Sequence, residues 1–180
     1  MLNRRNWVVA LVALLLVGVL AGCGAGVAVP EREVEISVDT ALEAQNKLAG
    51  LLMAGGAELS EAELSSLLSV LLDQNSGENN PVDAIKVWLE PGNSVVAQIA
   101  MLDGVLPEAV GDSLELAGKL AVEDGKVVLN LDAAGAGALG VSPALLAPIS
   151  AQINAALAGL AGVPVDVETE EGSMSVSLGM

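Results

Sequence analysis

The chain has no histidine, no phenylalanine and no tyrosine, and it has one cysteine, Cys23. Without imidazole there is no Ser–His or Cys–His nucleophile pair and no nitrogen ligand for zinc. A lone cysteine closes no disulfide within the chain, so stability has to come from packing. Basic residues are scarce as well. Seven Lys and Arg stand against 23 Asp and Glu, a net charge of −16. That balance repels phosphate backbones and anionic headgroups, and it argues against nucleic-acid binding. The lysines (Lys47, Lys86, Lys119 and Lys126) fall at predicted solvent faces or turns, which leaves no Ser–Lys pair. The acidic pairs, Glu123-Asp124 and Glu168 to Glu171, fall at predicted hairpin ends, where charge is ordinarily solvated. No EF-hand-like loop is present. The expectation is a protein without catalytic residues, metal or cofactor.

Two tryptophans are present. Trp7 lies in the apolar N-terminal run, so Trp88 is the one aromatic beyond it. The interior must be filled by Leu, Val, Ile, Ala and Met. Such a lining suits acyl chains; it is also what a genome biased toward Ala, Gly, Val and Leu codons produces.

The N-terminus sets the organisation. Arg4 and Arg5 precede an unbroken apolar run, Trp7 to Leu20, followed by Ala21, Gly22 and Cys23. A basic start, a short apolar segment and small residues before a cleavage point make a secretory signal. The run falls short of the ~20 residues a membrane span needs. Leu20-Ala21-Gly22-Cys23 resembles a bacterial lipobox. The resemblance implies that residues 1–22 are removed and that Cys23 becomes an acylated first residue, palmitate being a typical acyl group. The chain would then be anchored on the extracytoplasmic face of the cell envelope. Losing Arg4 and Arg5 leaves five basic residues against 23 acidic ones and takes the charge from −16 to −18. The membrane contact expected is therefore the lipid on Cys23. Residues 23–32, with Gly24, Gly26 and Pro30, read as a tether that reaches at most about 33 Å. Residues 33–180 read as a single domain.

Within that domain Val34, Ile36 and Val38 alternate, which predicts a strand over 33–39. Asp39 or Thr40 is then placed to cap a helix with Leu42, Leu48, Leu51 and Leu52 on one face, ending at Gly55-Gly56. Ser60-Glu61-Ala62-Glu63 is a capping box that opens a helix striped by Leu64, Leu67, Leu68, Leu71 and Leu72. Alternating strands follow over 82–90, 94–102, 112–122 and 126–133. Gly118 is read as a bend or bulge, and Asp124-Gly125 as a tight hairpin turn. After Gly-rich 134–142, Ser142 and Pro143 open a helix with Leu145, Ile149, Ile153, Leu157 and Leu160 on one face. Pro148 should kink that helix or delay its start. Val163, Val165 and Val167 alternate in a further strand, Glu170-Glu171-Gly172 turns, and Met174, Val176 and Leu178 form a last strand. The order lacks βαβ alternation and predicts an α+β fold with antiparallel pairing.

Three stretches carry a resemblance across about 33–180: Leu59 to Leu68, Ile85 to Asn93, and Pro143 to Leu157 with the two strands after it. They look like the small exported bacterial proteins of the TULIP-like (tubular lipid-binding) group. A runner-up likeness is to lipidated envelope proteins that carry lipoglycans in a half-barrel. The resemblance implies a curved antiparallel sheet of about six to seven strands wrapped on amphipathic helices as a half-barrel. It also implies a non-catalytic protein that binds or carries a lipid or other apolar ligand. The candidate lining is Ile85, Val87, Leu89, Ile99, Leu116, Leu129 and Leu131 from the sheet, with Ile149, Ile153 and Leu157 from the late helix. The chain is short for a full tube, so the groove is shallow or completed in a homodimer. The same apolar positions also fit a solid core. In that alternative the domain is a structural or interaction module with an envelope protein partner.

Overall fold

The computed structural model describes residues 27–75, 81–105, 112–132, 143–158 and 165–179. The signal segment 1–22, Cys23, the Gly-rich 134–142 stretch with the Ser142 cap, and Leu160 lie outside the described residues.

In chain order the elements are α1 (Val38–Ala49), α2 (Leu51–Ala54), β1 (Gly56–Ser60), α3 (Glu61–Asn75), β2 (Val82–Glu90), β3 (Ser94–Met101), β4 (Ser113–Glu123), β5 (Lys126–Leu131), α4 (Pro143–Ala158), β6 (Val165–Glu170) and β7 (Ser173–Leu178). The fold is α+β and every strand pair is antiparallel. The strands divide into two sheets, one ordered β2-β3-β4-β5 and one ordered β1-β7-β6. The seven described strands therefore form two sheets rather than the single half-barrel sheet expected. β6 passes across the hairpin ends of the larger sheet. Val165 N donates to Gly125 O, Asn93 Nδ2 donates to Val167 O, and Thr169 Oγ1 donates to Glu90 O.

The hairpin turns follow the local chemistry. Asp124 and Gly125 both take positive φ, 52° and 73°, the backbone twist that a two-residue hairpin requires; Gly92 and Asn93, at 75° and 60°, do the same in the three-residue turn between β2 and β3. The capping box forms as its spacing predicts. Ser60 Oγ accepts from Glu63 N at 3.2 Å, and Glu63 Oε2 accepts from Ser60 N at 2.8 Å.

The larger sheet has its outer edge at β2, and α3 completes it. Leu89 N donates to Glu61 Oε1 at 2.7 Å. Val87 N donates to Ser65 Oγ at 2.8 Å, and the Ser65 hydroxyl faces Val87 O at 3.4 Å. Ile85 N donates to Ser69 Oγ at 3.2 Å, and that hydroxyl donates to Ile85 O at 3.2 Å. Every second residue of the edge strand thus meets every fourth residue of the helix. The match is geometric: four helical residues rise about 6 Å and two strand residues about 6.8 Å.

This pairing corrects the first predicted strand. Residues 33–37 pair with no strand, because the β2 edge they would join is already occupied by α3. Val34 is nonetheless buried, and Ser37 N donates to Ser66 Oγ at 3.1 Å. Ser37, not Asp39 or Thr40, caps α1 by accepting from Thr40 N at 3.1 Å. The predicted helix face splits in two. Leu51 and Leu48 turn inward with Ala41 and Ala44, whereas Leu42 and Leu52 are exposed. β1 was not expected from its sequence; only Leu59 of its five residues is buried, and its ladder with β7 holds it. Val122 is 37% exposed near the end of β4. Pro148 does not delay α4, which runs from Pro143 with the proline on its exposed side. Gly118 keeps a regular register opposite Val95 and Leu131. A Cβ there would stand 3.0 Å from Asn130 O and 3.1 Å from Leu129 Cδ1, so the glycine provides space rather than a bulge. The register shift lies instead between Val82 and Ala84.

Ser65 is fully buried and serves both backbone groups of Val87. Ser65→Ala should therefore cost about 1–3 kcal/mol, read from the urea midpoint. Ser175→Ala, at an exposed position of β7, should stay within about 0.5 kcal/mol of the parent.

Candidate functional site

The inner face of the larger sheet is built by alternation along each strand. Ile85, Val87 and Leu89 of β2, Ile99 of β3, Leu116 of β4 and Leu129 of β5 are all buried to 2% exposure or less, as are Ile149, Ile153 and Leu157 of α4. Leu131 is partly buried against the same cluster. The fold brings together every residue expected to line a ligand site. Ile85 lies opposite Ile99, and Ala97 opposite Leu116. Over this face lie Leu64, Leu67, Leu68 and Leu72 of α3 and the buried face of α4. The cluster is wholly aliphatic apart from methionine sulfur. Trp88 points to the other face of the sheet, where its indole N–H donates to Arg32 O at 2.8 Å.

The two helices are seated differently. α3 is joined to its edge strand through the Glu61, Ser65 and Ser69 ladder. α4 packs on β5 and α3, and its polar link to the sheet among the described residues is the Leu129 N–H donating to Asn154 Oδ1 at 2.7 Å. That bond caps the opposite sheet edge, which would otherwise be open to pairing with another chain. The next polar side chain on α4, Gln152, has its Oε1 buried with no donor among the described residues. A buried unsatisfied acceptor works against the docking of the helix by about 1–3 kcal/mol.

Two open depressions lie elsewhere. One, of about 410 Å³, is on the outer face of the larger sheet and is lined by Glu90, Ser94, Val96, Ala117, Lys119 and Asn130 among others. The other, of about 430 Å³, is lined by Asn93, Asp166, Glu168, Ser175 and Ser177 among others. Both are ringed by polar side chains, and neither is lined by a residue of the predicted set.

A second arrangement was not foreseen: a clamp on the segment before α1. Arg32 donates to Glu61 Oε1 at 2.9 Å, Glu90 Oε1 at 2.9 Å and Glu171 Oε1 at 3.0 Å, and to Leu89 O at 3.3 Å. The hydrogen bonds to Glu61 and then Glu90 raise the guanidinium pKa further and hold it a permanent cation. A single arginine thus ties the end of the tether to α3, β2 and the β6–β7 turn. Its signal in the sequence is faint: one basic residue in an acidic stretch. The helix signal was stronger, since Glu61, Ser65 and Ser69 recur at a spacing of four beside the leucine stripe.

Lys47 of α1 lies 2.6 Å from Glu63 Oε1. Burial alone would raise the Glu63 carboxyl, but Lys47 and the Ser60 hydrogen bonds together outweigh it and hold the pKa below 4.5. Lys47 is shifted upward from 10.5, chiefly by its bond to Glu63. Among the described residues there is no cluster of three potential metal ligands, and no helix is long and apolar enough to cross a membrane. No protein-family model matches the chain, and no curated protein matches it significantly.

Two outcomes follow from these contacts. Glu63 has a lowered pKa, so its stabilisation is complete above 4.5 and is lost as pH falls through the folded value. On the basic side, the Lys47 contribution is complete below 10.5 and is lost as pH rises through its raised value. Glu63→Gln should flatten both limbs, visible as a smaller difference between denaturation midpoints at pH 7 and pH 3. Separately, Gln152→Leu should raise stability by about 1 kcal/mol, seen as a higher melting temperature.

Proposed function

We propose that this is a non-catalytic, exported lipoprotein. In this reading it is anchored by an acylated Cys23 and holds a lipid chain between the inner face of the β2–β5 sheet and α4. The observation that carries the reading is the seating of α4. Among the described residues the helix rests on aliphatic side chains, one hydrogen bond that Asn154 Oδ1 accepts from Leu129 N, and one unsatisfied amide oxygen at Gln152. Lifting it uncovers continuous aliphatic surface without breaking a polar network. The anchoring part rests on the Leu20-Ala21-Gly22-Cys23 motif and on the strongly acidic domain, which makes an acyl group the workable attachment.

The second reading is an envelope interaction or structural module with a permanently filled interior. It is favoured by the near-zero exposure of the lining residues. One set of samples separates the two. The full chain and its Cys23→Ser variant are expressed in a bacterial host, fractionated, extracted with organic solvent and examined by mass spectrometry, with a fluorescent fatty acid offered to the soluble form. The expected result is a membrane-bound parent, a released variant, co-purifying lipid near one per chain and saturable uptake of the probe. Absence of both bound lipid and uptake leaves the filled-core module standing. Membrane retention of the Cys23→Ser variant after detergent-free washing removes the anchor.

A further inference from the structure

α1 and α2 expose apolar side chains that neither sheet covers. Val38 is 64% exposed, Leu42 52%, Leu52 65% and Met53 96%, and Ala49 is exposed between them. Gly50 separates α1 from α2 in a right-handed conformation, φ −77° and ψ −11°, and the burial pattern keeps its phase across it, with Leu51 inward like Ala41 and Ala44. At about 100° per residue these positions fall within roughly 60° of one common direction. The buried stripe of the same helices, Ala41, Ala44 and Leu51, lies on a different side. The pair of helices therefore carries apolar side chains on two sides, and the outer one, which also carries Gln45, has no partner among the described residues.

The tether says where that face sits. Arg32 is pinned by three carboxylates. From Arg32 back to Cys23 the chain spans at most about 31 Å, and from Arg32 forward to Val38 at most about 20 Å. An anchor at Cys23 therefore keeps the exposed face within about 50 Å of the bilayer surface. At that distance even weak partitioning is favoured by the high effective concentration of the surface. Charge selects the lipid. Glu31, Glu33 and Glu35 precede the helix, and Asp39 and Glu43 lie on it, so anionic headgroups are repelled and uncharged ones are not.

We infer that the Val38–Met53 face lies against an uncharged, zwitterionic lipid surface, orienting the domain on the membrane that anchors it. This rests on the anchoring part of the proposed function, and the test separates the two. Because Cys23 is the one thiol, the full chain is coupled through it to a maleimide-bearing phospholipid in phosphatidylcholine vesicles, and in parallel to a soluble maleimide. Backbone hydrogen exchange is then followed by mass spectrometry. Amides of 38–54 should slow severalfold on vesicles while those of the β6–β7 turn do not. Replacing a third of the lipid by phosphatidylglycerol should weaken the effect. The Leu42→Ser, Leu52→Ser, Met53→Ser triple variant, changed only at exposed positions, should lose it. Equal exchange on vesicles and in solution overturns the inference. So does slowing that appears in solution with rising protein concentration, which assigns the face to a second copy. If the coupled chain shows the slowing but protein from cells carries no acyl group on Cys23, the orientation face stands and the anchor reading fails.

Discussion

The pairing of α3 with the edge of β2 is the contact on which the rest of the structure depends. A sheet edge offers a row of backbone groups that must find partners or be left in water. Here the partners are side chains on a helix. Glu61, Ser65 and Ser69 meet Leu89, Val87 and Ile85 in an antiparallel ladder. The helix can do this because its four-residue rise nearly equals the two-residue rise of the strand. The same register turns Leu64, Leu67 and Leu68 onto the inner face of the sheet, so one alignment satisfies the edge and closes the core.

Glu61 links this ladder to the tether. Its Oε1 accepts from Leu89 N at 2.7 Å and from Arg32 at 2.9 Å. A carboxylate that is 7% exposed is costly to bury unless its lone pairs are used and its charge is matched, and Arg32 supplies the match. The segment before α1 is thereby fixed to the point where the sheet edge, the start of α3 and the β6–β7 turn converge. The occupied edge also explains why the alternating residues 33–37 do not become a strand: their side chains bury as a strand's would, but no backbone groups remain for them to pair with.

What could be read from the sequence was whatever local chemistry decides. The capping box at Ser60, the Asp124-Gly125 turn and the inward face of β2 through β5 each depend on residues close in sequence, and each forms as its pattern predicts. The failures at β1, at the division of the sheets and at the inward face of α1 involve distant partners. β1 has only a short alternation, Ala57 and Leu59, and is held because β7 offers it a ladder. The division into two sheets depends on β6 running across hairpin ends, which no strand pattern reveals. The face of α1 that turns inward is set by the close approach of Ala41 and Ala44 to the core, not by the larger Leu42. The candidate lining was legible because its residues follow the alternation; whether they open is set by the helices above them, and the alternation does not encode that.

The two helices differ in how hard they are to move. α3 holds its edge strand with several hydrogen bonds, each worth about 1 kcal/mol net, one of them to a carboxylate that also binds Arg32. Its release would strip a sheet edge and free the tether together. α4 holds the opposite edge through Asn154 alone among the described residues, and Gln152 opposes its docking. The aliphatic contacts under it have no directional requirement, and an acyl chain can replace them at similar area. If the interior admits a ligand, it therefore admits it under α4, while α3 and the Arg32 clamp keep the sheet and the tether in place.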